Sequence, residues 1–237
     1  MPASDAEQPT NFLEVQFSLH GRTLPADHGY FLYSALKQLV LQNLEQNSDK
    51  KIGLNLPLEP TGKELSAGLL LSTISGIPDR DGMIYLNRAS RFRLRCSSVD
   101  VQYWYRLLQN QVLDIQGHLV RLIQPKLTLP QPSETLKARL VTFNLKEIDH
   151  QDVPRYFLES CQKALDKLDV KAQAFIDSNV EGDLARRTLK IKDKYVLGYG
   201  VVVEGLNEVD SLKLQCYGMG GRKHFGCGWF YAPKEVE

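Results

Sequence analysis

Twice along this chain an alternating apolar–polar segment gives way to a helical repeat and then to further alternating segments. That order of periodicities is what most restricts the fold. Side chains repeat every two residues on a half-buried strand and about every 3.6 on a helix. Residues 12–19 read as a strand, 20–25 as a turn, and 30–41 as a helix with Asp27 ahead of it as N-cap. In that helix Phe31, Ala35 and Leu39, and likewise Leu32, Leu36 and Val40, fall on shared faces. Residues 46–67 read as loop. Strands are expected at 69–74 and 83–86 around a turn at 76–79, and 91–95 alternates strictly, with three arginines on one face. A short helix capped by Asp100 and a hairpin of 112–115 with 119–123 complete the first half. After a proline-bearing linker at 125–132 the pattern restarts. It gives a strand at 136–143, a helix from Asp152 through Phe157, Cys161 and Leu165 to Leu168, and a strand at 172–176. A hairpin of 188–191 with 196–203, a helix at 207–215 and a short last strand at 229–231 follow. Strand–helix–strand–strand–helix–strand is the ferredoxin-like order. The expected class is α+β, with two such units in tandem at 12–132 and 133–237, after a disordered lead-in at 1–11.

Charge and cysteine usage narrow the functional classes. The net charge of the 237 residues is +1, so any binding of a polyanion must come from local clusters. Two exist: Arg88, Arg91, Arg93 and Arg95 in one segment, and Arg186, Arg187, Lys190, Lys192 and Lys194 in another. Four cysteines without CxxC spacing argue against a zinc knuckle or redox dithiol and suit a reducing compartment. The polar, acidic start is no signal peptide, and no apolar run reaches the ~20 residues of a membrane span. A soluble, cytoplasmic protein is expected. There is no GxxxxGK[ST], HExxH, EF-hand or GxSxG pattern, which disfavours ATPase, zincin, calcium-sensor and esterase readings.

One late segment carries chemistry. Over residues 217–230, Gly218, Gly220, Gly221, Gly226 and Gly228 flank Arg222, Lys223 and His224. Successive exposed backbone N–H groups beside positive side chains form a concave anion site, most often for phosphate. The competing reading is a hairpin with solvated charges. His28, beside Asp27 in the first turn of the first helix, stands where exposed N–H groups favour a phosphate and where histidine can act as acid or base. The competing reading is a histidine that only hydrates or caps the helix end.

Four stretches, at 24–36 (Leu-Pro-Ala-Asp-His-Gly-Tyr-Phe-Leu-Tyr-Ser-Ala-Leu), 90–95 (Ser-Arg-Phe-Arg-Leu-Arg), 136–141 (Leu-Lys-Ala-Arg-Leu-Val) and 217–228, give the chain a family likeness. It resembles the RAMP superfamily of CRISPR-associated RNA-binding proteins. Within it the chain is similar to the repeat-cleaving endoribonucleases of the MYXAN-subtype branch. The resemblance implies metal-independent cleavage of precursor RNA, in which the ribose 2′-OH attacks the adjacent phosphate and leaves a 2′,3′-cyclic phosphate and a 5′-OH. It implies no cofactor and no metal. Its partners would be CRISPR repeat RNA and other subunits of a surveillance complex. His28 becomes the expected general acid/base, Tyr33 the residue that reaches the scissile phosphate or orients the nucleophile, and Lys37 the stabiliser of developing charge. Core packing is the alternative for Tyr33, as for Tyr30, and solvation the alternative for Lys37. Arg91, Arg93, Arg95, Arg186, Arg187 and Lys190 are expected to grip RNA, along with Gly218, Gly220, Gly221, Arg222, Lys223, His224 and Gly226; the alternatives are a structural role for Arg91, Arg93 and Arg95 if paired with carboxylates, and a contribution to catalysis from His224. His118 and His150 are expected at the surface, and His20 is near enough in sequence to His28 to suggest a two-histidine arrangement. Two other functions remain open: a RAMP subunit that holds guide RNA without cutting it, and a ferredoxin-like regulatory domain for an anionic ligand.

Overall fold

A computed structural model describes residues 11–46, 68–145, 149, 151–178 and 181–233. The expected lead-in (Asn11 apart), the 46–67 loop (Gln46 apart) and His150 lie outside the described residues. The first half contains β1 (Phe12–His20), β2 (Thr23–Pro25), α1 (Gly29–Gln46), β3 (Leu70–Leu71), β4 (Ile77–Pro78) and β5 (Met83–Tyr85). It continues with β6 (Arg91–Ser97), α2 (Val101–Leu108), β7 (Val112–Ile115) and β8 (His118–Thr128). The second half contains β9 (Leu136–Val141), α3 (Val153–Lys167), β10 (Gln173–Ile176), β11 (Arg186–Ile191), β12 (Lys194–Glu204), α4 (Glu208–Tyr217) and β13 (Phe230–Tyr231).

The first main sheet has the order β3-β6-β1-β8-β7, and the second runs β10-β12-β9-β13 with β11 also on β12. Leaving aside the added β7 and β11, each order is that of a ferredoxin-like unit, so the α+β tandem is what the structure shows. In the first unit, helices and sheet enclose Phe17, Phe92 and Trp104, all fully buried. In the second, Phe157, Cys161 and Leu165 follow one another every four residues along α3 and are buried against β9 and β12.

Several local expectations change. The turn at 20–25 contains β2, which with β5 and β4 makes a separate small sheet. The strand expected at 69–74 shortens to two residues. Ser72 closes it, because its hydroxyl accepts the Arg93 N–H at 2.9 Å in place of a ladder carbonyl. Pro125 lies inside β8, not in a linker. The pairing of β1 with β8 shifts register between Gln16 and Ser18, opposite Gln124 and Pro125, and a bulge is where a strand tolerates proline. Four free cysteines (Cys96, Cys161, Cys216, Cys227) are buried. No described helix is long and apolar enough to cross a membrane.

Candidate nucleic-acid interface

The start of α1 is built into the molecule on both sides. Leu32, Leu36 and Val40 hold one face of the helix in the first core, and the His28 carbonyl accepts the first helical N–H, from Leu32, at 2.8 Å. Asp27 does not cap the helix. Its carboxylate accepts the backbone N–H of Lys190, which ties the approach to α1 onto β11 of the other unit. Burial raises the Asp27 pKa against the lowering effects of that hydrogen bond and of Arg139. Gly29 is needed because the carbonyl oxygen of Phe225 occupies the space a Cβ would fill.

This arrangement encloses His28. It is 1% exposed, and both ring nitrogens are engaged: Nδ1 donates to the Pro25 carbonyl at 2.8 Å and Nε2 accepts the Ile74 N–H at 2.9 Å. Burial pulls its pKa down to about 4, the Pro25 hydrogen bond opposing and Arg139 reinforcing the shift. The imidazole is a neutral brace between α1 and the 70–75 segment, with no nitrogen turned to solvent. His20, at the end of β1, is exposed, and His118 bonds through Nδ1 to the Thr23 hydroxyl at 3.1 Å.

The glycine segment also departs from an open anion nest. The N–H groups of Gly218, Gly221, Gly226 and Gly228 donate to the carbonyls of Leu214, Thr142, Lys223 and Leu140. Gly218 and Gly226 are buried. Positive φ and close approach are what require glycine: at Gly220, with φ of 77°, an added Cβ would stand 2.6 Å from the Thr142 oxygen. Lys223 donates to the Tyr217 carbonyl at 2.6 Å, and burial lowers its pKa. Arg222 reaches the Thr142 hydroxyl at 3.4 Å. The bend nevertheless presents one titratable ring to α1. The His224 imidazole lies 4.7 Å from the Tyr33 ring, centre to centre, and the Phe225 ring packs on both Tyr33 and Tyr30. His224 and Lys37 are half-buried.

Between the two sheets lies a cleft of about 630 Å³ whose walls carry Arg91, Arg93 and Arg139 together with Ser72, Thr73 and Tyr231. Arg95 closes its base and is engaged by the protein's own acceptors. Its Nε donates to Glu14 at 2.9 Å, and Nη1 donates to the carbonyls of Gln215 at 3.0 Å and Phe230 at 2.7 Å. Its guanidinium covers the Trp229 ring at 3.9 Å. Arg186, Arg187 and Lys190 are exposed on β11. No described group of three or more His, Cys, Asp or Glu side chains is arranged to hold a metal ion.

The family model described as Cas6 Crispr matches residues 13–235. The chain belongs to the Cas6 family. It is 31% identical over 222 residues to a protein named CRISPR-associated endonuclease Cas6 from Myxococcus xanthus (strain DK1622), covering 94% of this chain and 82% of that one. Among solved structures it is similar to a CRISPR associated protein Cas6, with TM-score 0.59 and 11% identity over 94% of this chain and 99% of the other. It is also similar to a Cas6-related protein from Pyrococcus furiosus, with TM-score 0.55 and 14% identity over 95% and 99%. The likeness to the solved Cas6 structures is one of fold. Two features of this Cas6-family chain escaped the sequence reading. Arg139 sits within the 136–141 stretch, where alternation with buried Ala138 and Leu140 already put it on the polar face. The meeting of Tyr33 with His224 joins residues 191 positions apart, and only the tertiary fold reveals it.

Proposed function

We propose that this protein cuts CRISPR repeat RNA by attack of a ribose 2′-OH on the adjacent phosphate, without a metal ion, leaving a 2′,3′-cyclic phosphate and a 5′-OH. Family membership supports an endonuclease, since the Myxococcus relative is named a CRISPR-associated endonuclease. The observation that carries the site is the junction where the first turns of α1 meet the glycine bend, with Tyr33 and His224 in contact. The reaction needs a base for the 2′-OH, an acid for the departing 5′-oxygen and positive charge at the phosphate. His224 is the proton-transferring group, Tyr33 orients it and reaches the phosphate, and Lys37, one helical turn beyond Tyr33, offsets the developing negative charge. His28 is a positioning residue, fixing the helix that carries the other two. Residues 12–132 and 133–237 form the two units between which RNA lies, gripped by Arg91, Arg93, Arg186, Arg187 and Lys190 through its phosphates. The protein works in the cytoplasm, alone or with other subunits of a CRISPR complex.

The sealed environment of His28 favours one competing reading, a subunit that holds guide RNA without cutting it. Incubation of the protein with repeat RNA in EDTA separates the two. Cutting that produces a cyclic phosphate, and that stops when the attacking ribose is replaced by 2′-deoxyribose, is the expected result. Tight binding of intact RNA without cutting selects the holding subunit, and cutting abolished by EDTA overturns the metal-independent mechanism.

A further inference from the structure

The arginines around the cleft divide by what they touch. Arg95 has an acceptor for its Nε and two for Nη1, and Arg93 lies 3.8 Å from Glu14. Arg139, projecting from β9 into the same cleft, makes no hydrogen bond or ion pair with any described residue. Its neighbours are not neutral. Burial pushes its pKa down, the charge of Arg187 on β11 pushes it down further, and Asp27 opposes both. Asp27 makes no ion pair with Arg139, and one oxygen of that carboxylate already accepts the Lys190 N–H. The concave wall explains why the residue is exposed to solvent and yet partly desolvated. A guanidinium has five N–H donors and keeps its charge, so in this wall its donors stay open to an arriving anion. Phosphate suits it, since two oxygens match the guanidinium fork.

We propose that Arg139, with Arg187 beside it, is a phosphate-binding residue of the inter-unit cleft that holds the RNA backbone close to the start of α1. This rests on the reading of the protein as an RNA-cleaving enzyme and adds a contact on the second unit. A purely structural arginine would stabilise the free protein. Arg139 does not: its removal relieves repulsion with Arg187 and weakens RNA binding together.

The test uses the full chain and a repeat RNA made uncleavable by a 2′-deoxy nucleotide at the cut site. Affinity is measured over a range of salt for wild type, Arg139→Gln, Arg139→Lys and the charge-matched control Arg155→Gln, on the exposed part of α3. Arg139→Gln should bind about tenfold more weakly and lower the slope of log affinity against log salt by roughly one. Arg139→Lys should keep the slope and recover part of the affinity. The melting temperature of Arg139→Gln should be unchanged or higher. Binding within twofold of wild type, an equal loss in Arg155→Gln, or a lowered melting temperature each overturns the proposal while leaving the cleavage reading intact. Wild-type protein that fails to bind the RNA removes both.

Discussion

The junction of α1 with the glycine bend and the cleft between the sheets use the same kinds of residue to opposite ends. At the junction, histidine, aspartate, lysine and glycine N–H groups are consumed by protein partners: His28 by Pro25 and Ile74, Asp27 and Lys223 by backbone, the glycines by carbonyls. In the cleft, among the described residues, Arg139 meets no acceptor and Arg93 meets the edge of a carboxylate already committed to Arg95. Residue type therefore does not separate a binding group from a structural one here; the presence of an internal partner does. A buried polar group must be satisfied within the protein, whereas a basic group in an open groove keeps its donors for a ligand.

The largest expected effect tests the two histidines of the junction against each other. His224→Ala should slow cleavage of repeat RNA about 10² to 10⁴-fold, the range for loss of a general acid or base. His28→Ala should leave the chemical step less affected and act on stability, about 1–3 kcal/mol, because the Ile74 N–H loses its acceptor in a buried site. Single-turnover rates and urea denaturation on both variants decide. A larger rate loss in His28→Ala, at equal stability, would return the proton-transfer role to that residue.

Next in size is the tie at the base of the cleft. Glu14→Ala leaves the Arg95 charge buried without its carboxylate and should cost about 3–5 kcal/mol. Because Arg95 also holds Gln215 and Phe230, the loss should appear as one cooperative transition moving to lower denaturant in both units. Separate melting of the halves would show that Arg95 does not join them.

The sequence displayed most of this fold because its periodic segments are strong. The alternation of Arg91 to Arg95 over buried Phe92 and Leu94 settles β6, and the four-residue repeat of Phe157, Cys161 and Leu165 settles α3. Where a side chain takes over a backbone role, as Ser72 does, or a bulge resets the register, as beside Pro125, local pattern misleads. The site was less legible for a different reason. Alternation places Arg91, Arg93 and Arg95 on one face, yet the fate of Arg95 is fixed by carbonyls 120 and 135 residues away. The place of His28 at a helix start points to phosphate chemistry, while its partner Ile74 lies 46 residues on and is invisible to local pattern.

His28 also gives a pH test of intermediate size. Its pKa is about 4 in the fold against an ordinary 6.5, so between those values the unfolded chain binds a proton that the native protein refuses. Its contribution is fully present above pH 6.5 and is lost as pH falls toward 4, amounting to about 3 kcal/mol at most. Denaturation of wild type and His28→Gln across that range should show the steeper fall in wild type. Parallel curves would mean that the imidazole is not sealed at the junction.

The smallest expected effect lies on the open side of the comparison. The Arg93 side chain is 39% exposed and 3.8 Å from Glu14, so as an ion pair it is worth no more than about 1 kcal/mol. Arg93→Gln should hardly move the denaturation midpoint, in contrast to Glu14→Ala, although both changes touch the same carboxylate. It should still weaken RNA binding a few-fold, with the difference from wild type shrinking as salt rises, because one phosphate contact and its released counterions are gone. If Arg93→Gln instead destabilised the protein as much as Glu14→Ala, the cleft wall would be a structural seam like the junction. The distinction between partnered and unpartnered charge would then fail where it predicts most.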